Sequence, residues 1–63
     1  MSIGKNVRKY REEKGLDQTE LAQRVCVSQA MIARIENDTK PPSVALLKSI
    51  AVTLECTMDD LVA

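Results

Sequence analysis

Turn-forming and helix-capping residues divide this 63-residue chain into five short segments. Gly15 can take the left-handed conformation that ends a helix, and Pro41 and Pro42 cannot continue one. Four residues of the types preferred at helix N-termini open the segments that follow: Asp17, Ser28, Ser43 and Thr57. Breaks this close together leave room only for short helices joined by short loops, so the sequence predicts five of them.

Apolar residues recur at helical spacing within the segments, and this pattern predicts one core. The residues expected to face inward are Ile3, Val7, Tyr10, Leu21, Ala22, Val25, Ile32, Ile35, Val44, Leu47, Ile50, Ala51, Leu54 and Leu61. Tyr10 is the single aromatic residue, which disfavours a sandwich or barrel built from aromatic and β-branched strands. A chain of this length cannot fill two cores. We therefore expect one all-α domain over residues 1–63.

The composition also excludes several classes of protein. No apolar run approaches the length of a membrane span, and the first residues lack the apolar stretch of a signal peptide. With two cysteines and no histidine, neither a disulfide framework nor a zinc site is expected. No nucleophile has a matching base, so we expect no enzyme activity. A chain this short has no room for a ligand-binding or catalytic domain, so we expect no cofactor or small-molecule ligand. The chain is expected to be a soluble protein of a reducing, cytoplasmic compartment.

The two cysteines need a separate interpretation. Cys26 and Cys56 are expected to be half-buried, small apolar side chains. A redox sensor is the alternative, although neither thiol lies beside an obvious cluster of activating charges in the sequence.

Charge is distributed unevenly along the chain. Residues 1–34 contain seven basic and four acidic side chains, whereas residues 35–63 contain two basic and five acidic ones. The net charge of zero therefore hides a basic half and an acidic half. This asymmetry is compatible with a polyanionic partner and equally with a solvated basic face.

Residues 18–37 predict two short helices joined by a tight turn, which must cross steeply. Small and apolar residues would fill the angle between them. The outer face of the second of these helices would then carry Ser28, Gln29, Ala30, Ala33 and Arg34, none of them acidic. Such a face suits a DNA major groove, where glutamine can read adenine and arginine can read guanine. A plain αα-hairpin with a polar face is the alternative, but Gln18 and Lys40 flank the motif near where phosphates would run.

The whole chain from Ile3 to Val62 resembles the Cro/lambda-repressor-like, or Xre-like, helix-turn-helix family. The matching stretches are Arg-Glu-Glu-Lys-Gly-Leu-Asp-Gln-Thr-Glu-Leu-Ala at 11–22, Ser28, residues 32–37, Pro42-Ser43, and Met-Asp-Asp-Leu-Val at 58–62. The resemblance implies a five-helix DNA-binding domain with the helix-turn-helix motif at 18–37. It further implies that the third helix enters the major groove, usually in a dimer on a palindromic operator.

The resemblance assigns roles to individual residues. It implies base reading by Gln29, Ala30, Ala33 and Arg34, with the two alanines offering only methyl groups, so that Gln29 and Arg34 carry most of the polar readout. Gln18 would contact a phosphate and brace Gln29. The other expected phosphate contacts are Ser28, Asn37, Thr39, Lys40 and the amides that open the helix at Ser43. A structural ion pair is implied between Arg11 and Glu36.

Two positions depart from the family pattern. The family usually has glycine in the turn after the second helix and again after the fourth helix, where this chain has Cys26 and Glu55. If the backbone there is left-handed, a side chain is strained relative to glycine. This departure bears on the geometry of the turns more than on the fold.

Four residues near the end of the chain predict a dimer interface. Met58 and Val62 form an apolar stripe, Cys56 lies beside it, and Val52 extends it from the fourth helix. Exposed apolar patches often mark interfaces, although Met58 and Val62 could instead cap the core.

The sequence therefore predicts a sequence-specific regulator of double-stranded DNA, a small repressor or controller protein of prokaryotic or phage origin. The alternative is a protein-interaction or antitoxin-like module that keeps the fold without reading bases. The chain could also be the DNA-binding domain of a longer regulator.

Overall fold

A computed structural model describes residues 2–63, and this part of the chain contains five α-helices and no strand. The helices are α1 (Ile3–Glu13), α2 (Gln18–Arg24), α3 (Gln29–Glu36), α4 (Val44–Leu54) and α5 (Met58–Val62). The predicted five-helix, all-α fold is confirmed. None of these helices is long and apolar enough to cross a membrane.

Each helix begins at a residue whose side chain accepts the backbone N–H three positions later. The caps at Asp17, Ser28, Ser43 and Thr57 were predicted, and Ser2 caps α1 in the same way. These bonds satisfy amides that have no partner within the helix, which localises the starts of helices too short to be stable alone. In α2 and α5 the third helical residue also accepts from the cap, which completes a capping box.

The first four helices end in the same left-handed turn. The left-handed residues are Gly15, Cys26, Asp38 and Glu55, with φ of 73°, 60°, 60° and 56°. At each turn the next residue's N–H bonds to a carbonyl five positions back, as Val27 does to Ala22 at 3.0 Å. Cys26 and Glu55 therefore carry the strain expected of a side chain in a left-handed turn, and Asp38 carries it unexpectedly at a third turn.

The core lies where all five helices meet. Its buried apolar residues are Val7, Leu21, Ala22, Val25, Ile32, Ile35, Leu47, Ile50, Ala51, Leu54 and Leu61. One predicted core residue is wrong: Val44 is 75% exposed. It is the first residue of α4, one turn before the first fully packed position, Leu47, so it projects beyond the core.

The expectation for Cys26 is also wrong, because this side chain is exposed. Cys26 forms the turn itself, and the chain packs back against the core only at the next residue, Val27. Cys56 is half-buried against the core, as expected.

Close contacts position α1 against the ends of two other helices. The Gly4 N–H donates to the Asp38 carboxylate at 3.1 Å, and a Cβ at Gly4 would collide with the main-chain oxygen of Ile35. The buried Asn6 amide donates to the main-chain oxygens of Leu61 at 2.9 Å and Ala63 at 3.1 Å. These bonds hold α1 against α3 and α5.

Candidate nucleic-acid interface

Helices α2 and α3 form the helix-turn-helix that residues 18–37 predict. The two helices pack against each other more extensively than any other pair in residues 2–63. Leu21 and Ala22 of α2 and Ile32 and Ile35 of α3 are all buried. Small Ala22 permits close approach of the helices, and the Cys26 turn fixes the angle at which α3 leaves α2.

The outward face of α3 follows from this packing. Ile32 and Ile35 face the core, so helical periodicity turns the other side of α3 outward. Gln29, Ala30 and Arg34 are exposed and Ala33 is half-buried, so the four predicted base-reading residues share one side of α3. This side carries no acidic residue and presents an amide, two methyl groups and a guanidinium.

The six residues predicted to contact phosphate lie at the ends of helices or in the loop that follows α3. Ser28 and Ser43 are exposed N-caps of α3 and α4, and Asn37 is the exposed C-cap of α3. Thr39 and Lys40 are exposed in the following loop, and Gln18 is half-buried at the start of α2. The serine hydroxyl oxygens already accept backbone amides, but their O–H groups remain able to donate to a phosphate.

The structure brings Gln18 and Gln29 together. The Gln29 side-chain nitrogen Nε2 donates to Gln18 Oε1 at 2.7 Å, which is the brace implied by the family resemblance. The Gln18 Nε2 in turn donates to Glu36 Oε1 at 3.0 Å. This second bond, which links the brace to the interior, was missed because Gln18 and Glu36 are 18 residues apart and lie in different helices.

Arg11 and Glu36 are also brought together. Arg11 Nε donates to Glu36 Oε2 at 2.6 Å and Nη2 donates to Oε1 at 3.0 Å, while Nη1 donates to the main-chain oxygen of Leu16 at 2.8 Å. Both residues are buried. The hydrogen bond to Glu36 raises the pKa of the Arg11 guanidinium. The Arg11 guanidinium therefore makes a structural contact inside the fold and does not belong to the outward face of α3.

The residues predicted to form a dimer interface divide into two groups. Val52 and Val62 are 71% and 52% exposed. Met58 and Cys56 are half-buried and pack against the core, so the core-capping alternative holds in part for Met58. Burial raises the pKa of the Cys56 thiol, which disfavours the reactive thiolate.

Two polar residues that were not predicted, Asn6 and Asp38, hold α1 in place beside the helix-turn-helix. Asn6 lies one position before Val7 and three after Ile3, so its place on the inward face of α1 could have been recognised. Asp38 offered no such signal, because its role depends on Gly4, 34 residues away. Within residues 2–63 no group of three acidic or cysteine side chains could hold a metal ion.

Comparison with known proteins agrees with this geometry. A helix-turn-helix family model, HTH_3, matches residues 7–61. The immunity repressor protein of Bacillus phage phi105 is 33% identical over 54 residues, covering 86% of this chain. The chain spans only 38% of the length of that repressor.

Two solved structures show the same fold in complexes with DNA. SinR, described as the master regulator for biofilm formation, was solved in complex with DNA; it is 30% identical, with a TM-score of 0.88 over 94% of this chain and 95% of that one. The P22 c2 repressor, solved with synthetic operator 9T, is 26% identical, with a TM-score of 0.93 over 98% of this chain and 94% of that one. These relatives and neighbours are DNA-binding regulators and not enzymes.

Proposed function

The chain belongs to the helix-turn-helix family of DNA-binding transcription regulators, and we propose that it represses or controls transcription by binding a palindromic operator as a symmetric dimer. Helix α3 would lie in the major groove. The family relationship covers residues 7–61, and we propose that residues 1–63 act as a single DNA-binding domain. Its relationship to a phage repressor supports a prokaryotic or phage origin and a site of action on cytoplasmic DNA.

One observation carries this proposal: the exposed side of α3 is free of acidic residues and presents a glutamine held in place by a second glutamine. Gln29 is exposed, and its bond to Gln18 limits its rotation. A side chain ordered before binding loses less conformational entropy when it contacts a base. We propose that Gln29 and Arg34 read base edges while Ala30 and Ala33 contact thymine methyl groups.

The phosphate contacts would surround this side. We propose that Gln18, Ser28, Asn37, Thr39, Lys40 and Ser43 position the domain on the sugar-phosphate backbone. All but Gln18 are exposed, and the amides that open α3 and α4 add the positive ends of two helix dipoles. Contacts of this kind set the register of α3 in the groove and carry no sequence information themselves.

Selection from a random pool of DNA duplexes tests this function directly. We expect one enriched sequence with two inverted half-sites. We also expect the logarithm of the binding constant to fall linearly with the logarithm of salt concentration, because phosphate contacts release counterions. A pool with no enriched sequence, or binding that is insensitive to salt, would instead favour a protein-interaction module.

The dimer is the second part of the proposal. Val52 and Val62 expose apolar surface, and Met58 and Cys56 contribute the half-buried edge of the same region. Two-fold pairing through α5 would place the two α3 helices on successive major grooves, about 34 Å apart. Because a single helix-turn-helix reads one half-site, a dimer would explain why the operator is palindromic.

Val62→Asp is the sharper test of this interface, because Val62 is more exposed than Met58 and its replacement is less disruptive to the core. We expect Val62→Asp and Met58→Asp to remain folded, to sediment as monomers and to lose cooperative binding to the full operator. Gln23→Asp adds the same charge on an exposed position of α2 and should still sediment as a dimer. A parent protein that sediments as a monomer at high concentration and binds one half-site per duplex contradicts the dimer.

A further inference from the structure

Four side chains form one continuous hydrogen-bonded chain from the interior to the outward face of α3: Arg11, Glu36, Gln18 and Gln29. We propose that Glu36, a buried residue that touches no DNA, sets which base Gln29 prefers by fixing the direction of both glutamine amides. Glu36 is thus a positioning residue for specificity. The inference rests on the proposed base reading by Gln29.

The direction of the chain follows from which groups can donate. A carboxylate only accepts hydrogen bonds, and both Glu36 oxygens accept from Arg11. Gln18 must therefore turn its NH2 group, and not its carbonyl, toward Glu36, as the 3.0 Å bond from Nε2 shows. The Gln18 carbonyl then faces Gln29, which must donate its own N–H at 2.7 Å.

Burial shows which end of this row of hydrogen-bonded side chains fixes the orientation of the other end. The side chains of Arg11 and Glu36 are only 10% and 2% exposed, whereas Gln18 is half-buried and Gln29 is exposed. The interior pair is held by two hydrogen bonds with each other and a third from Arg11 to a main-chain oxygen. The buried carboxylate, held by two hydrogen bonds, therefore orients the surface amide of Gln29 through Gln18.

The consequence for DNA concerns the part of Gln29 that remains free. With one N–H given to Gln18, Gln29 keeps its carbonyl oxygen and its second N–H. One acceptor beside one donor is the pair that adenine requires, since its N6 donates and its N7 accepts. If the Gln29 amide were reversed, the donor and acceptor would exchange places and no longer match adenine in the same pose.

Replacing Glu36 with glutamine tests the direction of the chain. Glutamine offers one oxygen where the carboxylate offers two, and the Oε1 position accepts from both Arg11 Nη2 and Gln18 Nε2. Whichever way the new amide turns, its NH2 group faces another N–H, so the directions of the two outer amides are no longer fixed. The base pair read by Gln29 is identified as the one whose preference Gln29→Ala removes. At that pair we expect the parent to prefer adenine and Glu36→Gln to lose about tenfold of that preference, comparable to one bidentate contact.

Two further variants separate this effect from a loss of stability. Ile50→Val deletes a buried methyl group on α4, a helix that carries none of the four side chains, so it should lower stability and leave the adenine preference intact. Gln18→Met removes both hydrogen bonds that link Glu36 to Gln29 and leaves the Arg11–Glu36 pair intact, so it should reduce the adenine preference. This variant tests the inference independently if Glu36→Gln does not fold. In the free protein, NMR should show faster solvent exchange of the Gln29 side-chain N–H in Glu36→Gln and in Gln18→Met than in the parent.

The outcomes distinguish this inference from the proposed function. Should the parent select an operator with adenine at that pair while Glu36→Gln and Gln18→Met keep the preference, the inference is overturned and the proposed function stands. The inference is equally overturned if Ile50→Val loses the preference to the same extent. A parent that selects no sequence overturns both.

Discussion

The Asn6 side chain joins helix α1 to the end of helix α5 by donating to the main-chain oxygen of Leu61 at 2.9 Å. Its second N–H donates to the Ala63 oxygen at 3.1 Å, so one buried amide satisfies two carbonyls at the C-terminal end of a five-residue helix. A helix this short has little stability of its own. The side of α5 proposed to form the dimer therefore depends on a contact made from α1.

Asn6→Ala should lower the free energy of unfolding by about 1–3 kcal/mol, because the Leu61 oxygen is left buried without a donor. Denaturant titration measures the change. Arg8→Ala is the matched control: Arg8 lies on the same helix in an exposed ion pair with Glu12, 3.3 Å long, and its loss should change little. Equal effects of the two substitutions would show that the Asn6 bonds do not stabilise the fold.

Cys26→Gly should stabilise the protein by about 1 kcal/mol or less. Glycine relieves the strain of a side chain at φ 60°, although its greater freedom in the unfolded chain offsets part of the gain. Cys26→Ala serves as the control, since it removes the thiol and keeps the strained Cβ. Midpoints of urea unfolding give the comparison.

Asp38 shares this backbone conformation, but Asp38→Gly should not produce the same gain. The Asp38 carboxylate accepts the Gly4 N–H at 3.1 Å, and glycine would remove that acceptor. We expect its unfolding midpoint to lie at or below that of the parent. A gain as large as that of Cys26→Gly would mean that the bond to Gly4 contributes nothing.

Arg34→Ala and Lys40→Ala should weaken DNA binding in different ways. Arg34 is exposed on the outward side of α3, so its loss should cost about 1–3 kcal/mol at one base pair and relax the preference there. Lys40 lies beyond the end of α3, so its loss should weaken all sequences alike and reduce the salt slope by about one. Repeating the selection and the salt titration with each variant separates the two roles. A uniform loss for Arg34→Ala with an unchanged motif would make Arg34 a phosphate contact.

Asp60 should contribute a pH-dependent part of the stability. The backbone N–H of Thr57 donates to its carboxylate and lowers the pKa of Asp60 below its ordinary 3.8. A group with a lowered folded-state pKa stabilises the fold above the unfolded pKa, and this contribution is lost as the pH falls through the folded value. Asp60→Asn can still accept the same bond but does not titrate. The stability difference between parent and variant should therefore shrink as the pH falls from about 5 to below 3.8. A difference that stays constant over this interval argues against the prediction.

Local chemistry is the part of this structure that could be predicted from sequence. An N-cap bond joins residues three positions apart, so Asp17, Ser28, Ser43 and Thr57 could each be recognised from their immediate neighbours. The apolar periodicity identified every buried apolar residue of the core for the same reason, and it wrongly added Val44. The resemblance to a known family then supplied the candidate roles at the surface of α3.

Contacts between distant segments were decided only by the tertiary structure. The exposure of Val44 depends on where the core ends, and the role of Asp38 depends on the approach of Gly4. The bond from Gln18 to Glu36 exists because α2 and α3 cross at that point, and it gives the Gln18–Gln29 pair its direction. The sequence alone determined which residues stand on the outward side of α3, because helical periodicity is local. How the Gln29 amide is oriented was decided by packing, because the Gln18 side chain that bonds to it lies on another helix, α2.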